Sequence, residues 1–183
     1  EGLIALSGGR EGEVGLALLA GSGADAEALL AEWQAVFPER FYLEVQRTSR
    51  VNDEEHLHLA VELAQRCQAP LVATNDVRFL KQTDFEAHET RVCIGEGRAL
   101  DDPRRPRTYS DQQYLKSPEE MSALFADLPE ALANTVEIAR RCAFAVRKRA
   151  PILPKFAADA VAELRRAAWA GLTDRRAVTP HAV

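Results

Sequence analysis

The sequence predicts an α/β fold in which parallel strands alternate with helices. Three short apolar runs, each followed by a helical pattern, are the main observation: Leu3–Leu6, Phe41–Val45 and Leu71–Thr74. Capping patterns and prolines mark where the intervening helices begin and end. Strand–helix alternation of this kind joins parallel strands through right-handed crossovers. We therefore expect a parallel sheet covered by helices and followed by further helices.

The first half of the chain supplies this alternation. Helical character extends over Glu11–Ala20 and again over Ala24–Phe37, where Leu30 and Trp33 belong to one apolar face. Asn52, with Glu55 three residues later, forms a capping pattern for a helix that runs to about residue 67.

The second half is predicted to be helical, with one irregular segment. A capping pattern at Thr83 opens a helix that should stop near residue 95, and residues 96–110 are polar and broken by prolines. Ser110 and Ser117 each resemble a helix start, the second with proline at the first helical position. Two further helices are expected over Pro129–Cys142 and Val161–Leu172, with residues 151–154 as a linker.

Composition narrows the class of protein. The chain has 183 residues, 46% hydrophobic and 28% charged, with a net charge of −5, which argues against a general polyanion-binding module. No apolar run approaches the roughly 18 residues that span a bilayer. The three cysteines, Cys67, Cys93 and Cys142, are far apart and odd in number, which favours reduced thiols in a cytosol. Because Glu1 is not an initiator methionine, we expect a fragment or a processed product.

Ligand sites in parallel α/β folds form at the C-terminal ends of the strands. Three segments should meet there: Gly8–Arg10, the loop after Val45, and Asn75–Asp76. A carboxylate at Asp76 has the chemistry to bind a divalent cation or orient a water molecule. The alternative is that Asp76 forms a salt bridge with Arg78, which cannot coordinate a metal, or caps the next turn.

Other chemistry-bearing residues have weaker patterns. His56 and His58 cannot reach one ion from a helix, because positions two apart point about 200° from each other, so we interpret them as surface or half-buried. The segment Gly8–Gly12 lacks the Gly-Lys-Ser/Thr ending of a phosphate loop and is interpreted as a tight turn. Asp84, His88 and Glu89 are expected to form a local hydrogen-bonded cluster.

Two groups of basic residues have the charge to contact phosphates, or else to form a solvated surface or an interdomain contact. The first is Arg98, Arg104, Arg105 and Arg107, and the second is Arg140, Arg141, Arg147, Lys148 and Arg149.

Several long blocks, in order along roughly residues 1–156, resemble the alpha subunits of bacterial DNA polymerase III, a family of replicative polymerases. The blocks are EGLIALSGG from residue 1, FYLE from 41, VATNDVRF from 72, FEAHETRV from 85 and LFADLPEALANTVEIA from 124. Blocks of this length are far more specific than any short motif.

The resemblance implies a domain organisation. Residues 1–95 should form the C-terminal half of the polymerase-and-histidinol-phosphatase (PHP) domain, a distorted parallel β/α barrel. Residues 96–150 should form an arginine-rich loop and a helical segment. Residues 151–183 should form a linker and the truncated start of the polymerase body.

The resemblance also implies how the strand ends have changed. Family members with an active metal site carry a cysteine at the position of Gly9 and a histidine at that of Arg78, so Asp76 is expected to be a vestigial ligand position paired with Arg78. No functional metal or catalytic residue is expected within this chain.

For function, the resemblance implies a cytoplasmic DNA polymerase that uses deoxynucleotides and Mg²⁺ bound outside this chain. Its partners would be DNA, a proofreading exonuclease subunit and other replicase subunits, with no membrane. Two alternatives remain. One is an active PHP metal-dependent phosphoesterase or 3′–5′ exonuclease, which Gly9 and Arg78 argue against. The other is a free-standing protein-binding module formed from the helical second half of the chain. Expressed alone, the chain is expected to aggregate or fold only partly, because its parallel strands lack neighbours.

Overall fold

A computed structural model describes residues 2–178 of the chain. Contacts divide the chain into two compact units, residues 1–144 and residues 145–183. The first unit contains all the strands and six α-helices of the described residues, and the second contains one helix.

The first unit is built on a three-stranded parallel sheet in the order β1-β2-β3. The strands are β1 (Ala5–Leu6), β2 (Phe41–Gln46) and β3 (Leu71–Thr74). Ala5 pairs with Phe41, and Leu43 pairs with Leu71. Almost every residue of β2 is buried, as expected for a central parallel strand covered on both faces. The α/β class predicted from the alternation is confirmed.

The helices of the first unit alternate with these strands and then continue beyond them. They are α1 (Glu13–Leu19), α2 (Gly23–Val36), α3 (Asp53–Cys67), α4 (Phe85–Glu96), α5 (Pro118–Leu124) and α6 (Pro129–Arg141). The second unit carries α7 (Ala160–Val178), which extends further at both ends than the sequence predicted.

The hydrophobic core lies between the sheet and the helices packed on it. Leu30, Leu43, Leu63 and Phe125 are among its largest buried side chains. Trp33, although half-buried, stacks on the ring of Phe41 with centroids 5.7 Å apart. These contacts join α2, α3, the middle strand and the residue that follows α5.

The predicted start at Asn52 is confirmed, because α3 begins at Asp53, whereas the predicted start at Ser110 is wrong. Asn52 nevertheless has a left-handed backbone (φ 67°) and forms no side-chain cap, while the carboxylate of Asp53 accepts a hydrogen bond from Thr48 N at 2.8 Å. Ser110 opens no helix, because the residues after it bond to the end of β3 instead. At Ser117 the capping box is present, with Glu120 N donating to Ser117 Oγ.

Among residues 2–178, none of the helices combines the length and the apolar character that crossing a bilayer requires.

Candidate functional site

The turn after β1 and the residues that end β2 and β3 meet at one edge of the sheet. Gly9, in the turn after β1, has a left-handed backbone (φ 58°), and an added Cβ would lie 3.2 Å from the side-chain Cδ of Gln46, the last residue of β2. Both features favour glycine here, because other residues rarely adopt this conformation. Gln46 Nε2 in turn donates to Thr74 Oγ1 at the end of β3 (3.1 Å).

Three donors surround the carboxylate of Asp76. Arg78 Nη2 lies 2.9 Å from Oδ1, Arg50 Nη1 lies 3.2 Å from Oδ2, and Gln113 Nε2 donates to Oδ2 at 2.8 Å. The backbone of Asp76 is itself left-handed, with φ 42°. Aspartate tolerates this region better than most residues. Asp76 is therefore held by two guanidinium groups and one amide.

Arg50 is the more buried of the two arginines, with 5% of its side chain exposed against 39% for Arg78. Its Nε donates to Thr48 Oγ1 at 2.8 Å, and its Nη2 donates to Gln46 Oε1 at 2.9 Å. Its Nη1 also lies 3.1 Å from Glu11 Oε1. Arg50 is thus the central cation of the strand-end network.

No local sequence pattern marks Arg50 as a site residue. The available signal was its place in the loop after Val45, one of the three segments predicted to reach this edge of the sheet.

A segment beyond the arginine-rich loop closes over the end of β3. The buried Asn75 donates through Nδ2 to Gln112 O (3.0 Å) and Tyr114 O (2.7 Å). The backbone N–H of Arg78 donates to Gln113 O at 2.8 Å. These bonds place the fully buried Gln113 against Asp76. Residues 110–115, which we call the strap, therefore complete the site.

The residues at this edge do not fit a divalent metal ion. A metal site needs several oxygen, nitrogen or sulfur ligands around one point, and guanidinium groups offer no lone pair. Here Arg50 and Arg78 occupy positions beside the Asp76 oxygens, and Gly9 offers no side chain. Within residues 2–178, His, Cys, Asp and Glu side chains form no group of three suited to hold a metal ion.

The histidine pair on α3 points in two directions. His56 is buried, and burial lowers its pKa, whereas His58 is exposed and its Nδ1 lies 2.7 Å from Glu54 O. The helical geometry predicted this divergence, but the expectation that His56 is at most half-buried is wrong.

The expected cluster of Asp84, His88 and Glu89 is not formed, because each side chain has a different partner. Asp84 accepts a hydrogen bond from Lys81 N at 3.0 Å. The His88 ring lies edge-on to Tyr109, with centroids 4.7 Å apart, and burial lowers its pKa. Glu89 forms an ion pair with Arg105, and both side chains are almost fully buried.

Most of the first basic group forms contacts within the chain. Besides Arg105, Arg98 lies 3.6 Å from Glu96 and Arg104 lies 3.2 Å from Asp102. In the second group, Arg141 donates to the hydroxyl of Tyr42 at 2.7 Å. Arg147, Lys148 and Arg149 belong to the second unit and are exposed.

The segment Gly8–Gly12 is a tight turn, as its lack of a lysine predicted. Residues 9–11 form one turn of 3-10 helix. A Cβ on Gly12 would lie 1.7 Å from Ser7 O, so the chain passes too close for any other residue.

Comparison with known proteins gives the relatives of this chain. Residues 1–48 match the PHP domain family. DNA polymerase III subunit alpha of Pseudomonas aeruginosa is 77% identical over 156 residues, that of Pseudomonas fluorescens 67%, and that of Escherichia coli strain K12 57%. Each match covers 85% of this chain and 13% of the relative, so the chain spans about one-eighth of the length of these proteins.

The resemblance read from the sequence blocks is confirmed by these identities. Over 85% of its length the chain is similar to one segment of the DNA polymerase III alpha subunits, and its residues 1–48 match the PHP domain family.

Proposed function

We propose that these residues are a structural segment of a replicative DNA polymerase catalytic subunit, a DNA-directed nucleotidyltransferase. The observation that carries this proposal is the 77% identity over 156 residues to a DNA polymerase III alpha subunit. Identity at this level over a continuous stretch supports a shared parent architecture more strongly than any local motif. The intact protein would then bind DNA and deoxynucleotides and act in the cytoplasm.

Mg²⁺ would serve the polymerase chemistry at residues outside this chain. Two-metal phosphoryl transfer requires carboxylates that hold two cations a few ångströms apart. At the strand ends the carboxylates of Glu11 and Asp76 face Arg50 instead. The segment itself would therefore contribute architecture, with the sheet edge held by ion pairs where related domains hold metal.

A scaffold of this kind suits the docking of other replicase subunits, including a separate proofreading exonuclease. The family resemblance is the support for these partners. Disruption of the strand-end network is then expected to weaken subunit association before it alters nucleotide incorporation.

Primer extension by the intact protein tests the proposal. We expect incorporation of all four deoxynucleotides on a primed template in the presence of Mg²⁺, and the same turnover for Asp76→Asn at temperatures where the protein stays folded. Absence of incorporation by the intact, folded protein would refute the polymerase assignment.

The competing function is an active PHP phosphoesterase or 3′–5′ exonuclease. It predicts metal-dependent hydrolysis, without any added exonuclease subunit, that Asp76→Asn abolishes. The two guanidinium groups beside Asp76 are the observation against it. Hydrolysis that tracks with Asp76 would replace our proposal with this one.

A further inference from the structure

Side chains of α5 and α6 line a cavity of about 600 Å³ in the first unit. Pro118 and Met121 line it from α5, and Leu132 and Val136 line it from α6. The side chain of Val136 is 51% exposed, so a ligand can reach the apolar wall from solvent. The lining residues all lie within residues 116–136 and differ from those of the strand-end network.

The two hydroxyl groups in the wall of this cavity are bonded within their own helices. Ser122 Oγ donates to Pro118 O, and Thr135 Oγ1 donates to Leu132 O, each at 2.7 Å. A hydroxyl group has one proton to donate, so neither of them has a donor left for a ligand. The helices therefore present a mainly apolar surface to the cavity.

Lys116 adds a positive charge to this apolar wall. Of the described residues that line the cavity, it alone is charged. Its ammonium group donates to Gln112 O and lies 4.0 Å from the centroid of the Tyr114 ring. Both of these partners are neutral, and an ammonium group has three N–H donors. At least one donor of Lys116 therefore remains for a ligand.

Two carboxylates near Lys116 are bonded to other donors. Glu120 accepts hydrogen bonds from the Tyr114 hydroxyl and from Ser117 N, both at 2.7 Å. Asp111 accepts hydrogen bonds from two glutamine side chains, at 2.8 and 3.2 Å. Both carboxylates attract the Lys116 ammonium through their charge, without a hydrogen bond to it.

The positive charge of Lys116 is only partly compensated by these surroundings. Burial lowers the pKa of Lys116 below its usual value of 10.5, in spite of the attraction from Glu120 and Asp111. A lowered pKa means that the ammonium loses more by leaving water than it regains from its neighbours. An anionic group placed against Nζ would supply the missing interaction.

We propose that the cavity between α5 and α6 binds a small amphiphilic carboxylic acid, with its carboxylate on Lys116 Nζ and its apolar chain against Met121, Leu132 and Val136. An apolar pocket with one well-placed polar group is typical of sites for small organic ligands. Glu119 and Glu120, in the first turn of α5, disfavour an anion of higher charge. This binding does not depend on whether the intact protein is a polymerase.

Competitive acetylation of lysines, mapped by mass spectrometry, tests the proposal at the residue itself. Limiting acetic anhydride is applied to the intact protein, and the rate is read separately at Lys116 and at Lys148. Octanoate is the probe. Octanamide supplies the same chain without the charge, and acetate supplies the charge without the chain. Lys148 is the control, because it is exposed and belongs to the second unit.

We expect octanoate to slow acetylation of Lys116 about tenfold at roughly ten times its dissociation constant, with Lys148 unchanged. Octanamide and acetate should have much smaller effects at the same concentration. Equal protection of both lysines, or protection of neither, would overturn the proposal. Protection by octanamide or by acetate equal to that by octanoate would also overturn it, because the proposed ligand needs both the charge and the chain.

The pKa of Lys116 gives a second measurement, which simple steric cover would not change. A bound carboxylate favours the ammonium form, so octanoate should raise the pKa of Lys116 and move the midpoint of its acetylation to higher pH. Octanamide should leave that midpoint unchanged. Protection by octanoate without any shift of the midpoint would overturn the contact between the carboxylate and Nζ.

The apolar wall is tested by Val136→Glu, with Val136→Gln as the uncharged control. Because the Val136 side chain is half exposed, neither change should disturb the core. The added carboxylate should raise the octanoate concentration needed to protect Lys116, and the amide should raise it less. If Val136→Glu needs no more octanoate than the unaltered protein, the ligand lies outside this cavity and the proposal is wrong.

Discussion

Arg50 lies 3.2 Å from Asp76, joining the loop after β2 to the end of β3 across the edge of the sheet. Only 5% of the Arg50 side chain is exposed, so this ion pair is largely removed from solvent. Arg78 approaches the same carboxylate from the exposed side. The buried arginine is therefore the one on which the local fold depends.

Removal of Arg50 should be much more damaging than removal of Arg78. Arg50→Ala removes the buried cation from Asp76 and one donor from Gln46, while Gln113 and Arg78 remain on the Asp76 carboxylate. We therefore expect a loss of about 1.5–3 kcal/mol in local stability, the range for a hydrogen bond to a charged group. Arg78→Ala should cost about 1 kcal/mol or less, because that pair is screened by water. Hydrogen exchange of the β3 amides in the intact protein measures both.

The matched control is Arg66→Ala, which removes an exposed pair with Glu27 and should leave the β3 amides unchanged. Equal effects of Arg50→Ala and Arg78→Ala would contradict the central role assigned to Arg50.

The ion pair between Glu89 and Arg105 predicts that two neighbouring arginine substitutions differ in their effect on amide exchange. Arg105→Ala strands the buried carboxylate of Glu89, so exchange of the α4 amides should accelerate strongly. Arg104 pairs with Asp102, two residues before it, and its side chain is 86% exposed. Arg104→Ala should therefore have little effect on exchange of the α4 amides. If both variants accelerate exchange equally, the pair is not the anchor between the arginine-rich loop and α4.

The hydrogen bonds between Arg47 and Asp127 predict that the stability of the fold depends on pH in the acid range. Arg47 donates to both of its carboxylate oxygens, at 2.6 and 2.8 Å, and this hydrogen bonding lowers the pKa of Asp127 to about 2. A lowered folded-state pKa means that the stabilisation is present above the ordinary pKa of 3.8 and is lost as the pH falls toward 2.

Asp127→Asn should therefore lower stability at neutral pH by about 1 kcal/mol or less, since 59% of the Asp127 side chain is exposed. The difference from the unaltered protein should shrink between about pH 4 and pH 2. Unfolding curves at several pH values measure it, and a difference that stays constant over this interval would refute the assigned cause.

A metal site should not return through two substitutions alone. Gly9→Cys and Arg78→His would introduce the thiol and the imidazole that the family resemblance implies for these positions. A Cβ at position 9, however, would lie 3.2 Å from Gln46 Cδ and would occupy a left-handed backbone. That conformation costs about 1–2 kcal/mol for a residue other than glycine. Arg50 would also remain beside Asp76.

We expect the double variant to be less stable and to bind no stoichiometric zinc or manganese in a metal titration. A variant that also carries Arg50→Gln is the comparison, because it removes the competing cation. Tight binding by the double variant would show that Arg50 does not block the position.

The sequence was sufficient to predict the parallel sheet and to predict that the ends of its strands meet at one edge. Strand β3 has the predicted limits, Leu71–Thr74, because its apolar run is short and clearly bounded. Asp76 and Arg78 were found because they are close in the chain.

Arg50 and Gln113 were missed because their contacts with Asp76 cross between distant segments. No local pattern shows that the Asn75 side chain donates hydrogen bonds to the carbonyl oxygens of Gln112 and Tyr114. These two hydrogen bonds prevent a helix at Ser110. Only the tertiary arrangement decides which of the competing hydrogen bonds forms.

Metal analysis of the intact protein beside its Asp76→Asn variant tests most directly whether the strand-end network is a scaffold. After dialysis, we expect neither protein to retain zinc, manganese or iron at a stoichiometry that depends on Asp76, and we expect both to extend a primer equally when Mg²⁺ is supplied. Stoichiometric metal in the unaltered protein that disappears in Asp76→Asn would contradict the account and establish a metal site at this edge of the sheet.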